Sequence, residues 1–302
     1  MNQSKKLNLT VGIIVLNGDF FLRQVIESLY PYAHAICIAE GAVNYWAQQG
    51  ITTSTDDTLE ILTTFPDPEN KIKVVHGTYA EKDDQCRAWF NLVPDDTDYI
   101  LCCDSDEVHT GKNIERLIDY LSTQQPTSVG FKSDSFYGGF ERIIGGFERD
   151  HSFKRVLKCE KGCIYRTHRQ PTLSLNGNDI QGKDITGNQL YAETGITMWH
   201  GSYVSPKGVY EKIKYYESAV IKPGACIPNY FTDVFMPWVT QPDKRDEIEN
   251  RWRGVQEFMP QFRGDCFTLP FTGEHPDVIL RDWEILQNKF NKQLEYYVKN
   301  VH

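Results

Sequence analysis

The sequence predicts an α/β fold: a mostly parallel, Rossmann-like sheet with helices on both faces, followed by a C-terminal helical extension. Three observations carry this. Strand and helix patterns alternate three times before residue 104. The strand that follows is an unbroken apolar run, as expected for a strand covered on both faces. Acidic residues stand at the ends of two of these strands, where open parallel sheets bind their ligands.

Residues 11–16 read as the first buried strand. Asn17-Gly18-Asp19 then turns the chain and caps a helix with apolar positions Phe21, Val25, Ile26 and Leu29. Residues 35–39 form a second strand that ends beside Glu40. Ser54 or Thr55 caps a helix through Leu59, Ile61 and Leu62, and Pro66 stops it. Residues 72–75 give a third strand, 83–92 a third helix, and 99–103 the fourth strand. An amphipathic helix over 113–121 carries Ile114, Leu117, Ile118 and Leu121.

After Gln125-Pro126 the texture changes, and 129–131, 152–157, 163–166 and 195–199 read as strands between Gly-rich or polar loops. Gly138-Gly-Phe-Glu-Arg142 recurs as Gly145-Gly-Phe-Glu-Arg149, too short a period for a repeat architecture and better suited to a hairpin or loop pair bordering a substrate. Helical patterns over 243–258 and 276–298 place Trp252, Val255 and Phe258, or Ile279, Trp283 and Leu286, on one face. The expected organisation is therefore a domain over 1–235, with a nucleotide-binding half 1–125 and an acceptor half 126–235. Residues 236–302 form a helical extension packed on it.

Composition narrows the function. The 302-residue chain has a net charge of -9 and no basic block, which argues against a nucleic-acid partner. No apolar run approaches the ~20 residues of a transmembrane helix. Lys5-Lys6 and the apolar stretch after it imitate a secretory leader, but Asn8 and Thr10 interrupt it. None of the eight cysteines forms a CxxC pair, and Cys159 with Cys163 is too isolated for a zinc site, so a reduced, cytoplasmic setting is expected. Aromatic residues make up 13% of the chain, many in polar surroundings, where rings of this kind stack on sugars or bases.

The most informative stretch is Asp98-Tyr-Ile-Leu-Cys-Cys-Asp-Ser-Asp-Glu-Val108. In an extended backbone Asp104 and Asp106, two residues apart, point the same way. Two hard oxygen ligands at the mouth of a buried strand suit Mn²⁺ or Mg²⁺, ions that one or two carboxylates hold together with substrate phosphates. Three carboxylates at such an end repel one another unless a cation or a basic side chain offsets them. The plain alternative is an acidic turn that ends the strand.

Four segments together resemble the GT-A glycosyltransferases over residues 9–220, with the local texture of glycosyltransferase family 2 and the related β-1,4-mannosyl-glycoprotein N-acetylglucosaminyltransferase family. They are Val11-Gly-Ile-Ile-Val-Leu-Asn17, Ile36-Cys-Ile-Ala-Glu40, Gln85-Cys-Arg87 before the Asp-x-Asp motif, and Met198-Trp-His-Gly-Ser-Tyr203 with the Lys-rich stretch after it. The resemblance implies a metal-dependent, inverting transfer of a sugar from a nucleoside-diphosphate sugar of UDP or GDP type to a glycan or other hydroxyl acceptor. It implies Asp106 as a direct metal ligand, Asp104 as a ligand directly or through water, and His200 as the third. Glu107 would orient them. Glu40, Arg87, Asp104 and Ser105 would bind the donor, with Arg87 paired to Asp104 or to phosphate, and Lys207 and Lys212 facing the diphosphate. Among Glu141, Glu148, Asp150, His168, Asp179, Asp184 and Glu193, the resemblance implies Asp179 or Asp184 as the general base, since related enzymes place this acid within a few tens of residues before the late histidine. His168-Arg-Gln170 stands where some relatives carry a His-Glu pair, and the acid is replaced.

Two other classes compete. Asp104-Ser-Asp-Glu-Val108 also fits a haloacid-dehalogenase-like phosphatase with Asp104 as nucleophile, although that motif ends the first strand of its domain and here three strand-helix units precede it. A sugar- or nucleotide-binding protein without turnover is the non-enzyme alternative.

Overall fold

A computed structural model describes residues 7–220, 226–255 and 266–301. The order begins β1 (Leu9–Val15), α1 (Leu22–Leu29), β2 (Ala35–Glu40), α2 (Asn44–Ala47), α3 (Thr58–Thr64), β3 (Ile72–His76), α4 (Lys82–Phe90) and β4 (Tyr99–Asp104). It continues β5 (Glu107–Val108), α5 (Gly111–Gln124), β6 (Ser128–Tyr137), β7 (Arg142–Ile144), α6 (Phe147–Asp150), β8 (Phe153–Lys158), β9 (Ile164–Thr167), β10 (Thr172–Leu175), β11 (Asn178–Asp179) and β12 (Asp184–Ile185). Then come α7 (Gly187–Thr194), β13 (Thr197–Tyr203), α8 (Pro206–Tyr215), α9 (Met236–Thr240), α10 (Arg245–Trp252), β14 (Thr268–Pro270), α11 (Asp277–Arg281) and α12 (Trp283–Asn300). Two compact units result, Met1–Lys132 with Ser152–Met198 and Ser133–His151 with Trp199–His302. Residues 236–302, expected as an appendage, thus share a unit with 133–151 and 199–235.

The first unit holds the expected mixed α/β sheet. Strands β3, β2, β1 and β4 run parallel, and β8 adds to β4 antiparallel, followed by the first residues of β6. Residues Tyr99 to Cys103 are all buried, as an unbroken apolar strand should be. Helix α1 buries Leu22, Val25, Ile26 and Leu29 at a helical spacing, each contributing ~1.5–3 kcal/mol. Helix α4 lies directly on β1, where Gly12 makes room for Trp89: a Cβ at Gly12 would overlap the indole ring. Helix α5 starts at Thr110, whose hydroxyl accepts the Asn113 amide, and ends at Gln125 in a left-handed conformation just before Pro126. The caps expected for the first two helices differ. The Asn17-Gly18-Asp19 turn ends earlier than α1 begins, so the Gly18 carbonyl takes the Phe21 and Leu22 amides. Helix α3 begins at Thr58, with Asp56 rather than Ser54 or Thr55 accepting its first amide.

In the second unit β7 pairs antiparallel with the end of β6 and with β14, so the first Gly-Gly-Phe-Glu-Arg copy is the β6–β7 hairpin and the second leads into α6. Its core gathers Tyr137, Tyr203, Ile213, Tyr230, Phe235, Trp238 and Tyr297. The Tyr137 and Tyr230 hydroxyls share one hydrogen bond at 2.8 Å, which lowers the cost of placing two phenols in an apolar interior. Ile248, Val255, Ile279 and Leu286 are buried as the helical patterns require, while Phe258 lies outside the described residues. Among the described residues, no helix is long and apolar enough to cross a membrane.

His109 is a buried imidazole in the first unit, and neither ring nitrogen has a hydrogen-bond partner. Burial, with the charge of Arg155, pushes it down to about 4 from an ordinary value of 6.5. The folded state thus excludes a proton that the unfolded chain accepts. The stability this confers is complete above pH 6.5 and is lost as pH falls from 6.5 to about 4. His109→Leu should remove up to ~3 kcal/mol of that acid-side decline, measured by urea unfolding of both proteins at pH 7 and pH 4.5. Parallel declines in the two proteins would contradict it.

Candidate functional site

The parallel strands bring their carboxyl ends to one edge of the first unit. Asp104 pairs with Ile14 and Glu40 with Val15, so the two acids flank the end of β1. At ~4.8 Å between neighbouring strands they stand ~10 Å apart. Ser105 borders the loop after β1, where a Cβ at Gly18 would lie 3.3 Å from its hydroxyl.

The acidic run does not remain extended. Strand β4 ends at Asp104, and Ser105-Asp106 form a turn, so the alternation expected to align Asp104 with Asp106 does not apply. The cause is Glu107. Its carboxylate is fully buried and accepts the Asp104 amide at 3.1 Å, folding the chain back on itself. Opposite stands Arg155 of β8, whose Nε donates to both Glu107 oxygens at 3.0 Å and whose Nη2 donates to Asp104 Oδ2 at 2.9 Å and to Glu107 Oε1. Burial pulls Arg155 down, but the charges of Glu107 and Asp104 outweigh it and hold the guanidinium well above its usual range. The basic side chain that three carboxylates require is therefore Arg155, and Glu107 is its principal partner rather than a minor orienting group. Half of the Asp104 side chain, 49%, remains exposed.

Arg87, expected to pair with Asp104 or with phosphate, is exposed on α4 and bonds to Asp84 one turn back, while Arg155 stands beside Asp104. The working residue of its motif is Gln85, which is buried and donates to the carbonyls of Ala39 and Gly41 at 3.0 and 3.1 Å. Glu40 is fully buried, not solvated: it accepts the Ser54 amide at 2.7 Å, the Thr53 hydroxyl and His76 Nδ1–H. The 53–58 loop is tied in turn to the loop after β1, through Asn17 N–H to Ser54 Oγ at 2.9 Å and Gly18 N–H to Thr58 Oγ1 at 2.8 Å. Glu40 thus organises this edge through its own loops.

The two candidate bases lie elsewhere. Asp184 pairs in register with Ser128, which faces Leu157, which faces Ile100. It is level with the start of β4, four residues (~13 Å) before Asp104, and its carboxylate accepts the Ser128 hydroxyl. Asp179 pairs with Ser174, which faces Ile164 at the amino end of β9. The other end of β9 carries His168 to Asp83, which accepts its backbone amide at 2.8 Å and Nδ1–H at 2.5 Å. Register therefore sets Asp184 at the end of the sheet opposite Asp104, and Asp179 at the end of its small sheet opposite His168.

In the second unit His200 is buried within a polar chain that the sequence did not reveal. Ser135 Oγ lies 3.1 Å from Glu148 Oε1, 3.3 Å from His200 Nδ1 and 2.9 Å from Ser133 Oγ. A hydroxyl has one proton, and the carboxylate can only accept. Ser135 therefore donates to Glu148 and accepts from Ser133 and from His200 Nδ1–H. This fixes the imidazole tautomer with its lone pair on Nε2. Asp134 pairs with Arg149 beside this chain. Trp199 Nε1 donates to His275 Nδ1 at 3.1 Å. Lys212, expected toward a diphosphate, donates to Ser202, and Lys207 lies 3.9 Å from Glu211.

Among the described residues, no group of three or more His, Cys, Asp or Glu side chains is placed to hold a metal ion. Asp104 and Asp106 on the acidic turn fit Mn²⁺ or Mg²⁺ only in the form these ions favour with phosphate ligands, with few protein oxygens and the rest from the phosphates.

Residues 52–168 match the family model described as Glycosyl transferase family 2, a segment that runs from the loop tied to Glu40 through β4, the acidic turn and Arg155 to His168. No curated protein matches the chain. Among solved structures it is similar to S. aureus TarS residues 1–349 in complex with UDP-GlcNAc, at 10% identity over 82% of this chain and 80% of that one, with a TM-score of 0.42. A second TarS 1–349 structure covers 98% of this chain and 92% of that one at 9% identity and a TM-score of 0.40. The chain spans about half, 48%, of a longer S. aureus TarS chain, at 9% identity over 82% of its own length with a TM-score of 0.38.

Two outcomes follow from this geometry. Arg155→Met leaves Glu107 buried without a counter-charge and should cost ~3–5 kcal/mol in urea unfolding; adding Glu107→Gln should recover part of that loss, and an Arg155→Met protein as stable as the parent would refute the role. For His200, long-range ¹H–¹⁵N correlation spectra of the neutral ring should show the Nδ1–H tautomer, and Ser135→Ala should shift it toward Nε2–H. A wild-type spectrum of the Nε2–H form would contradict the hydrogen-bond chain.

Proposed function

We propose that this chain is a glycosyltransferase that moves a sugar from a nucleoside-diphosphate sugar to an acceptor hydroxyl with inversion, assisted by Mn²⁺ or Mg²⁺. The observation that carries the reading is the acidic turn Ser105-Asp106 at the carboxyl end of β4, held by Glu107 and Arg155 inside the segment that matches family 2. Such strand ends are where parallel sheets take nucleotides.

The residues would divide the work as follows. Asp106 and Asp104 would hold the divalent ion, and that ion, when bound, supplies positive charge to the departing diphosphate. Arg155 holds Asp104 in one orientation through its Nη2. The Glu40-centred loops hold the floor for base or ribose, with Ser105 at its rim. Asp184 does not serve as the base in this reading, because its register sets it about four residues before Asp104 along the sheet; Asp179 stays the candidate base.

Thermal-shift measurements with UDP, GDP and CDP, each with and without Mn²⁺, test this. One nucleoside diphosphate should raise the melting temperature by about 5 °C at a hundredfold excess over Kd, and only with metal. Asp106→Ala should lose the rise, while Asp184→Ala should keep it. An equal response to inorganic phosphate would favour the phosphatase reading, and no response to any diphosphate would overturn nucleotide binding. A full response in Asp106→Ala would remove the metal assignment.

A further inference from the structure

We propose that Cys159 and Cys163 form a peroxide-oxidisable dithiol, a modification site in the turn that joins β8 to β9. Their sulfurs lie 3.8 Å apart, in van der Waals contact. A bond requires ~2.05 Å, a small approach for two side chains on one turn. The turn is shaped for it. The Cys163 amide donates to the Glu160 carbonyl at 3.0 Å, and Gly162, at φ +82°, takes the left-handed conformation that brings the second sulfur back over the first. On the other side the Cys159 amide is anchored to the Asp98 carbonyl at 2.9 Å.

The two thiols are chemically unequal. The Cys159 thiol beside it and hydrogen bonds from the Glu160 and Cys163 amides pull Cys163 down to about 7, while Cys159 is pushed up. Thiolate is the nucleophilic form, so Cys163 is the attacking sulfur and Cys159 the resolving one. Elsewhere burial pushes Cys37, Cys86 and Cys102 up to about 12 and Cys103 well above its usual range. Thiols raised this far are poor nucleophiles. Cys163 is 8% exposed and Cys159 more so.

The chemistry balances with hydrogen peroxide. The Cys163 thiolate attacks one peroxide oxygen and the O–O bond breaks, leaving a sulfenic acid and hydroxide, which takes up the proton that Cys163 released. The Cys159 sulfur then attacks the sulfenic sulfur, the S–O bond breaks, and the departing hydroxyl leaves with the Cys159 proton as water. Two thiols become one disulfide, and one peroxide becomes two waters.

The test uses the full, reduced chain treated with hydrogen peroxide, then alkylated with iodoacetamide under denaturing conditions, digested and weighed. The peptide or peptides holding Cys159 and Cys163 should lose two hydrogens, resist alkylation and recover with dithiothreitol, while the other six cysteines are alkylated. Cys159→Ser should leave a sulfenic acid at Cys163 that dimedone labels. Cys163→Ser should leave Cys159 at least tenfold less reactive at the same dose. Full alkylation of both cysteines in the treated parent chain, or equal reactivity of the two single variants, would overturn the proposal. The measurement on the parent chain stands even if a variant fails to fold.

Discussion

The edge of the first unit depends on one buried ion pair. Glu107 has no access to water, and its charge is tolerable only because Arg155 meets both of its oxygens and reaches on to Asp104. Breaking such a pair is costly, since a bare carboxylate in the interior pays most of its desolvation with no return. The same contact decides the shape of the turn, because the Glu107 carboxylate also holds the Asp104 amide. Charge balance, backbone direction and the orientation of the half-exposed Asp104 are therefore set by the Glu107–Arg155 pair.

Around that pair, the loops after β1, β2 and β3 are joined by buried polar contacts rather than left as independent connections. Glu40 holds Ser54 and His76, Asn17 and Gly18 hold Ser54 and Thr58, and Gln85 spans the carbonyls on either side of Glu40. Gly41, at φ +133°, admits the Gly77 carbonyl where any Cβ would collide. A floor built this way presents a fixed outline to a ligand. In the second unit the Glu148–Ser135–His200 chain does something similar for one imidazole: it selects a tautomer by counting protons.

What the sequence disclosed and what it hid follow from distance along the chain. The strands β1 to β4 and their helices were readable because apolar runs and helical spacing are local signals, and the Asp104 cluster stood out because nothing else in the chain packs three acids at an apolar strand's end. Arg155 was invisible: it sits fifty residues away in a strand whose partner is chosen by antiparallel pairing with β4, and no local pattern marks Phe153–Lys158 as carrying a counter-ion. Arg87 shows the same limit: its spacing to Asp104 could not reveal that its partner on the helix is Asp84. Asp179 and Asp184 were chosen by position along the chain, whereas their placement is fixed by register with Ser174 and Ser128.

The origin of Arg155 in β8 also imposes an order on how the polypeptide can mature. A nascent chain that has emerged only as far as β6 carries β4 with one side open, its amides and carbonyls unpaired, and Glu107 without an opposing charge. Burial of that acid must wait until residues 153–158 arrive and dock. The parallel half is thus not self-sufficient, and a truncation after residue 132 would leave β4 unpaired on one side and Glu107 without its counter-charge.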